Sequence, residues 1–407
     1  MDQALSAHQA ASIEVEKLYG ATNYHPLPIV LSRGEGPYVY DIDGTKYLDF
    51  LSAYSAVNQG HCHPRIVKAL VDQAPKLSLT SRAFYNDQLG PYTEFMCKLF
   101  KYQRLLPMNT GVEAGETALK LARRWGYVKK GIADNQAKVV FVEGNFWGRT
   151  LAAISSSNDP SSRGGFGPYM PNFVSIPYDD VEALEKVITD SNVCAFMLEP
   201  IQGEAGVVVP KAGYLKSVRQ LCTRHNVLMI ADEIQTGLCR TGKMLACDHE
   251  DVRPDILILG KALSGGLLPV SAVLCDDRIM LNIKAGEHGS TYGGNPLACA
   301  VAKVAMQVLI DEKLSDASAR LGEIFRGELN TGKLPGVLTV RGKGLMNALV
   351  MDPDHKVTAW DLCIKMMKQG LLAKPTHGNI IRFAPPLVIS ESELKRGIQI
   401  IRSCLSA

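Results

Sequence analysis

Between Arg104 and Cys275 the chain alternates short, unbroken apolar runs with amphipathic segments, and few architectures accommodate that pattern. The apolar runs are LLPM (105–108), KVVFVE (138–143), CAFMLE (194–199), VLMIAD (227–232), ILILG (256–260) and VSAVLC (270–275). Most are separated by stretches such as AGETALKLARRWGYVKK and AGYLKSVRQLCTRH, whose apolar residues recur at helical spacing. A strand apolar throughout needs cover on both faces. Helices between successive strands give that cover and return the chain for parallel pairing. The pattern predicts an α/β domain on a mainly parallel sheet.

The pattern changes after about Asp311. LSDASARLGEIFRGEL reads as a helix, VLTVRGKGLMNALVM as antiparallel strands and ESELKRGIQIIRSCL as a closing helix, which together make a small α+β unit. Near the N-terminus a helix is expected from about Ala10 to Leu18, followed by the proline-broken NYHPLPIVL. PYVYDIDGTKYLDF then predicts a hairpin turning at Asp43-Gly44. A chain of 407 residues exceeds what one core usually supports. The expected division is an N-terminal segment (1–64), a large domain (65–313) and a small C-terminal domain (314–407). SSSNDPSSRGGFGP (155–168) is a loop by composition, and its length suggests a place at a site or interface.

Composition excludes several classes. The 44 Lys plus Arg against 41 Asp plus Glu leave a formal charge of +3, too balanced for broad capture of nucleic acid or anionic membrane. No apolar run approaches the ~20 residues of a membrane helix. MDQALSAHQAASIEVEKLYG is polar and carries acids, unlike a secretory or transit segment. The expectation is a cytoplasmic protein as the sequence stands, or a mitochondrial-matrix one if a transit segment has been removed. The 10 cysteines form no CxxC pair and several lie in apolar runs, which predicts reduced, mostly buried thiols. HCHP (61–64) resembles a metal site superficially, but no Cys or carboxylate cluster accompanies it, and a turn accounts for it.

In sheets of this kind ligands bind beyond the carboxyl ends of the strands. Polar or glycine-rich positions just after apolar runs are therefore candidates: Gly111, the stretch Glu199 to Glu204, Asp232 and Lys261. Lys261 follows ILILG and precedes ALSGG. Desolvation favours the neutral amine, a nucleophile toward carbonyls, although for this residue alone a lysine snorkelling from a strand end is the favoured reading. Asp232, directly after VLMIA, needs a cation or donors, or else caps the next helix. NTGVEAGETALKLARRW offers free N–H groups and a positive dipole end, suited to a phosphate. Phe146-Trp147 could stack on a planar ring or fill a core. Each feature alone is weak, and the combination is specific.

MIADEIQTGLCRTG followed by DILILGKALSGG resembles the signature of the class III (ω-amino acid) pyridoxal-phosphate-dependent aminotransferases. Within that family the ornithine-specific members match almost end to end, from YGATNYHPLPIV through TSRAFYN, GNFWGRTL, EPIQGEAGVVVP and GEHGSTYGGNPL to IIRFAPPLVI. The resemblance implies fold type I, a mainly parallel seven-stranded sheet in a large domain plus a small α+β C-terminal domain. It implies pyridoxal 5′-phosphate bound covalently by Lys261, which also shuttles protons. It gives Asp232 the pyridine nitrogen, Gln235 the ring hydroxyl, Gly111 and Val112 the phosphate, and Phe146 the ring face. Ser290 and Thr291 resemble residues that reach the phosphate of a neighbouring subunit, which implies a homodimer with shared sites.

The substrates implied are L-ornithine, reacting at its δ-amine, and 2-oxoglutarate. Arg149 and Arg382 can each hold a carboxylate bidentately. Glu204 resembles a gate that pairs with Arg382 while ornithine reacts and swings aside for 2-oxoglutarate. Tyr24 matches a position that bonds the ornithine α-amine. Tyr54 matches one that excludes shorter or differently substituted ω-amines. Alternatives are acetylornithine or 4-aminobutyrate as substrate, or a binding protein on the same fold without turnover.

Overall fold

The computed structural model describes residues 5–406, and its strands fall into three sheets. In the first, β1 (Leu31–Glu35), β2 (Tyr38–Asp41) and β3 (Lys46–Asp49) run antiparallel. Asp41 Oδ1 closes the β2–β3 turn by accepting the N–H groups of Asp43 at 3.0 Å and Thr45 at 2.8 Å. Gly44, at φ +86°, supplies the left-handed residue the turn needs. The N-terminal helix runs Ala7–Tyr19, capped by Ser6, and so starts earlier than its apolar spacing suggests.

The large sheet contains β4 (Arg104–Met108), β5 (Lys138–Val142), β6 (Phe173–Ile176), β7 (Val193–Leu198), β8 (Leu228–Asp232), β9 (Ile256–Leu259) and β10 (Ser271–Cys275). Their order is β4-β10-β9-β8-β7-β5-β6, and β10 runs antiparallel to both its neighbours while the other pairings are parallel. Val139 and Phe141 pack into a core on one face, Val140 and Val142 into a core on the other. Every residue of β7, β8 and β9 is buried, as their continuous apolar runs require. β6 was not expected from the sequence: FVSI is a four-residue edge strand only partly buried, and it leaves no continuous apolar run. The 155–168 stretch is not wholly irregular either. Asp159 accepts from Ser161 N–H and caps a short helical turn, Pro160–Arg163.

Farther along, β11 (Val337–Lys343), β12 (Met346–Met351), β13 (Leu371–Leu372), β14 (Lys374–Thr376) and β15 (Ile380–Phe383) follow. Four of them make an antiparallel sheet in the order β11-β12-β15-β14. β13 instead pairs in parallel with β3, so the N-terminal hairpin and the C-terminal unit share a sheet. Phe50, Phe325 and Phe383 pack together behind it. The HCHP segment is a turn that leads, with proline at the first helical position, into the helix Pro64–Gln73. All ten cysteines are unpaired and eight are buried. Among the described residues no helix is long and apolar enough to cross a membrane.

Candidate active site

The carboxyl ends of β4, β5, β7, β8 and β9 point the same way, and the segments leaving them enclose a cavity of about 240 Å³. Lys261 enters it from β9, Asp232 from β8, Glu199 from β7, Phe146 and Trp147 from β5, and Gly111 and Val112 from β4. Gln235 and Ile234 complete the wall. The strand-end rule therefore gathers residues spread over 150 positions of sequence into one site.

One end of the cavity is built by the start of the helix Gly111–Trp125. Thr110 and Glu113 form a capping box: Glu113 Oε2 accepts from Thr110 N–H at 3.0 Å and from Asn109 N–H at 2.8 Å. The N–H groups of Gly111 and Val112, in the first turn, have no helical acceptor, and both residues line the cavity. They form a cradle for an anion. Gly111 is needed there, because a Cβ on it would lie 2.9 Å from Ile234 Cδ1. Gly115, one turn on, lets the helix lie against Trp147, whose ring a Cβ would meet at 2.7 Å.

Two buried acids and a half-buried amine set the electrostatics. Burial pushes the Asp232 carboxyl up to about 6, against the pull of the Ile234 N–H and of Lys261. Its single hydrogen bond among the described residues comes from Ile234 N–H to Oδ1 at 3.0 Å. Burial likewise pushes Glu199 up to about 8, and neighbouring Asp232 adds to the effect. Glu199 ties two loops together, accepting from Phe146 N–H at 3.0 Å and Gly203 N–H at 3.1 Å. Burial drives the Lys261 ammonium below its ordinary range, although Glu204 and Asp232 oppose it. An under-bonded buried acid, a readily neutral amine, an aromatic wall at Phe146 and an anion cradle fit pyridoxal phosphate part for part. The acid suits a protonated ring nitrogen, and the amine suits an aldehyde.

A second group sits beside this cavity. Arg382, on β15 and 5% exposed, donates from Nη1 to Glu204 Oε1 at 3.0 Å and from Nη2 to Glu204 Oε2 at 3.3 Å. Gln235 Oε1 accepts a further bond from Nη1 at 3.2 Å. Burial raises the Glu204 carboxyl, but Arg382 and then Lys261 outweigh it, and the net position is below the ordinary range. The Tyr54 ring centroid lies 4.6 Å from Arg382 Cζ. Tyr54 is presented by an unusual turn in which Ser52, Ala53, Tyr54 and Ser55 have φ of +48°, +46°, +60° and +71°. A left-handed turn of L-residues costs about 1–2 kcal/mol per residue, so surrounding structure has to impose it.

The remaining candidates lie outside the cavity. Arg149 is exposed, donates to Ser162 Oγ at 3.1 Å and has Cζ 5.6 Å from the Phe146 ring. Tyr24 is 77% exposed, and its segment is docked by its neighbour: the His25 ring stacks on Trp360 at 4.3 Å, and Lys374 Nζ donates to His25 O at 2.6 Å. Ser290 Oγ accepts from Asn109 Nδ2 at 2.9 Å, and Thr291 is exposed. Neither enters the cavity of its own chain. Sequence reasoning placed Glu199 among the strand-end candidates without giving it a role. It carried the same signal as Asp232, an acid directly after an apolar run. Ile234 gave no signal of its own.

A family model for class-III aminotransferases matches residues 19–405. Ornithine aminotransferase of Drosophila melanogaster is 64% identical over 390 residues, covering 96% of this chain and 90% of that one. The rat protein of the same name is 63% identical over 394 residues, covering 96% and 89%. A crystal structure of ornithine aminotransferase from Toxoplasma gondii superposes with a TM-score of 0.96 at 50% identity, covering 98% and 94% of the two chains. One of acetylornithine aminotransferase from Elizabethkingia anophelis gives 0.90 at 54% identity, covering 98% and 99%. Fold, site and sequence agree that the chain belongs to the class-III aminotransferases.

Proposed function

We propose that the enzyme transfers the δ-amino group of L-ornithine to 2-oxoglutarate, giving glutamate 5-semialdehyde, which cyclises to pyrroline-5-carboxylate, and glutamate. The observation that carries this reading is the Glu204–Arg382 pair beside Tyr54. A terminal amine has to react while the α-carboxylate stays distant. A guanidinium neutralised by its own carboxylate has little to offer a substrate carboxylate, so ornithine binds with its α end toward Arg149. Tyr24 then bonds the α-amine, and Tyr54 fixes the shape of the entry. When Glu204 swings aside, Arg382 takes the α-carboxylate of 2-oxoglutarate bidentately.

Pyridoxal phosphate, when bound, supplies an aldehyde that exchanges amines and a ring that accepts an electron pair. The chain's own residues do the rest. Gly111 and Val112 N–H groups hold the phosphate, with Ser290 and Thr291 reaching the partner subunit's phosphate in a homodimer. Phe146 fixes the ring plane and Gln235 meets the ring hydroxyl. Asp232 keeps a proton on the ring nitrogen. The Lys261 amine would take the proton from the substrate carbon that bears the reacting nitrogen and hold it at Nζ.

The division into residues 1–64, 65–313 and 314–407 is proposed on the same footing. So is a mitochondrial matrix location, since the fly and rat proteins are both named as mitochondrial. The similarity to the Elizabethkingia enzyme favours a second reading, acetylornithine as substrate. Steady-state rates separate the two. Ornithine is expected to exceed N-acetylornithine by well over tenfold in kcat/KM, because an acetyl group removes the Tyr24 bond. Equal values would overturn the ornithine reading.

A further inference from the structure

His61 and Asp49 form a part-buried pair that the amino-transfer chemistry does not use. Facing a carboxylate, the imidazole Nε2 is the donor, and it lies 2.7 Å from Asp49 Oδ2. The other oxygen, Oδ1, accepts the backbone N–H groups of Leu51 at 2.8 Å and Ser52 at 2.9 Å. One side of the carboxylate is committed to the entry of the left-handed turn, the other to the imidazole. The imidazole is itself anchored. His61 N–H donates to Gly36 O at 2.8 Å, and His61 O accepts from Gly36 N–H at 3.1 Å. The ring also presses on β1, where a Cβ at Gly34 would lie 2.8 Å from it.

Nothing in the sequence Ser-Ala-Tyr-Ser favours a left-handed turn, since none of the four residues is glycine. Inside the turn Tyr54 N–H donates to Leu51 O at 3.0 Å and Ala56 N–H to Ser52 O at 2.9 Å, bonds that ordinary turns also make. The Ser52 hydroxyl is buried without a partner. The handedness is therefore imposed from outside, and Asp49 is the side chain that grips the turn's first N–H groups.

We propose that the Asp49–His61 pair is a specificity-positioning device: it holds the Ser52–Ser55 turn left-handed, so that Tyr54 faces Arg382 and the entry discriminates ornithine from shorter ω-amines. The inference rests on the reading of Tyr54 given above. Asp49 and His61 are positioning residues, and neither lines the cavity. Loosening the turn leaves Lys261, Asp232 and the Gly111–Val112 cradle in place. The loss therefore falls on discrimination and on the KM for ornithine, with kcat and cofactor content little changed.

The test compares kcat/KM for ornithine and for 4-aminobutyrate in the holoenzymes of wild type, His61→Ala, His61→Gln and Tyr54→Leu. The ornithine preference is expected to fall about tenfold in His61→Ala, mainly through KM. It should recover in His61→Gln, whose side-chain amide can still donate to Asp49. Tyr54→Leu should lose at least as much preference as His61→Ala. If Tyr54→Leu loses the preference while His61→Ala keeps it and only melts earlier, the pair is merely structural and the inference is overturned. If Tyr54→Leu keeps the preference, the reading of Tyr54 fails and takes the inference with it. Should His61→Ala not fold, His61→Phe replaces it. Its ring keeps the bulk against β1 but cannot donate to Asp49, and an undiminished preference there overturns the inference too.

Discussion

Arg382 and Glu204 meet through two hydrogen bonds, 3.0 and 3.3 Å, from a strand of the small sheet to the loop after β7 of the large one. The pair joins two parts of the fold at the edge of the cavity, and opening it exposes a buried guanidinium. Removing the acid should do the same permanently. In Glu204→Ala, the rate with glutamate relative to that with ornithine is expected to rise about tenfold in single-turnover assays of the two half-reactions. An unchanged ratio would show that Glu204 does not mask Arg382.

Tyr24 is exposed, yet its neighbour is docked by a stacked pair, His25 on Trp360. Trp360→Ala should free that segment and raise the KM for ornithine about fivefold, with the KM for 2-oxoglutarate unaffected. Trp360→Phe, which keeps an aromatic face, should restore most of the loss. Equal rises in both constants would argue against a role through Tyr24.

The left-handed turn makes a prediction about stability. Ala53 is exposed and has φ +46°, so glycine there removes strain without removing packing. Ala53→Gly is expected to stabilise the protein by about 0.5–1 kcal/mol, the strain relieved less the entropy glycine adds to the unfolded chain. Thermal melting checks it, and a lower melting temperature would mean the turn is not strained.

Glu199 predicts how the cofactor-free protein responds to pH. Its carboxyl rises from 4.5 to about 8 on burial, so the folded state binds a proton that the unfolded state releases. That contribution to stability is complete below about 4.5 and declines as pH rises toward 8. Asp232, raised to about 6, acts in the same direction over a narrower window. Glu199→Gln should therefore flatten the fall in melting temperature between pH 5 and 8. An equally steep fall in the variant would place the proton elsewhere.

Legibility in the sequence followed burial. Strands apolar on both faces announced themselves, whereas β6, short and at an edge, did not. Asp232 and Lys261 stood out because a charge directly after an apolar run is costly without a partner. Glu199 gave the same signal, but no single residue could say which of two acids faces the ring. Arg382 lies inside IIRF and reads as part of a core strand, so its place came from family resemblance. The parallel pairing of β13 with β3 joins residues more than 300 positions apart, beyond any local pattern. The left-handed turn carries no glycine to mark it, so only the folded chain reveals it.

The account depends most on Lys261 being the amine that joins the cofactor. Borohydride reduction of the cofactor-loaded protein, followed by peptide mass mapping, reads this directly. The phosphopyridoxyl mass is expected on the peptide containing Lys261 and should be absent in Lys261→Ala, a variant expected to fold without turning over. A label on another lysine, or none in the wild type, would contradict the account.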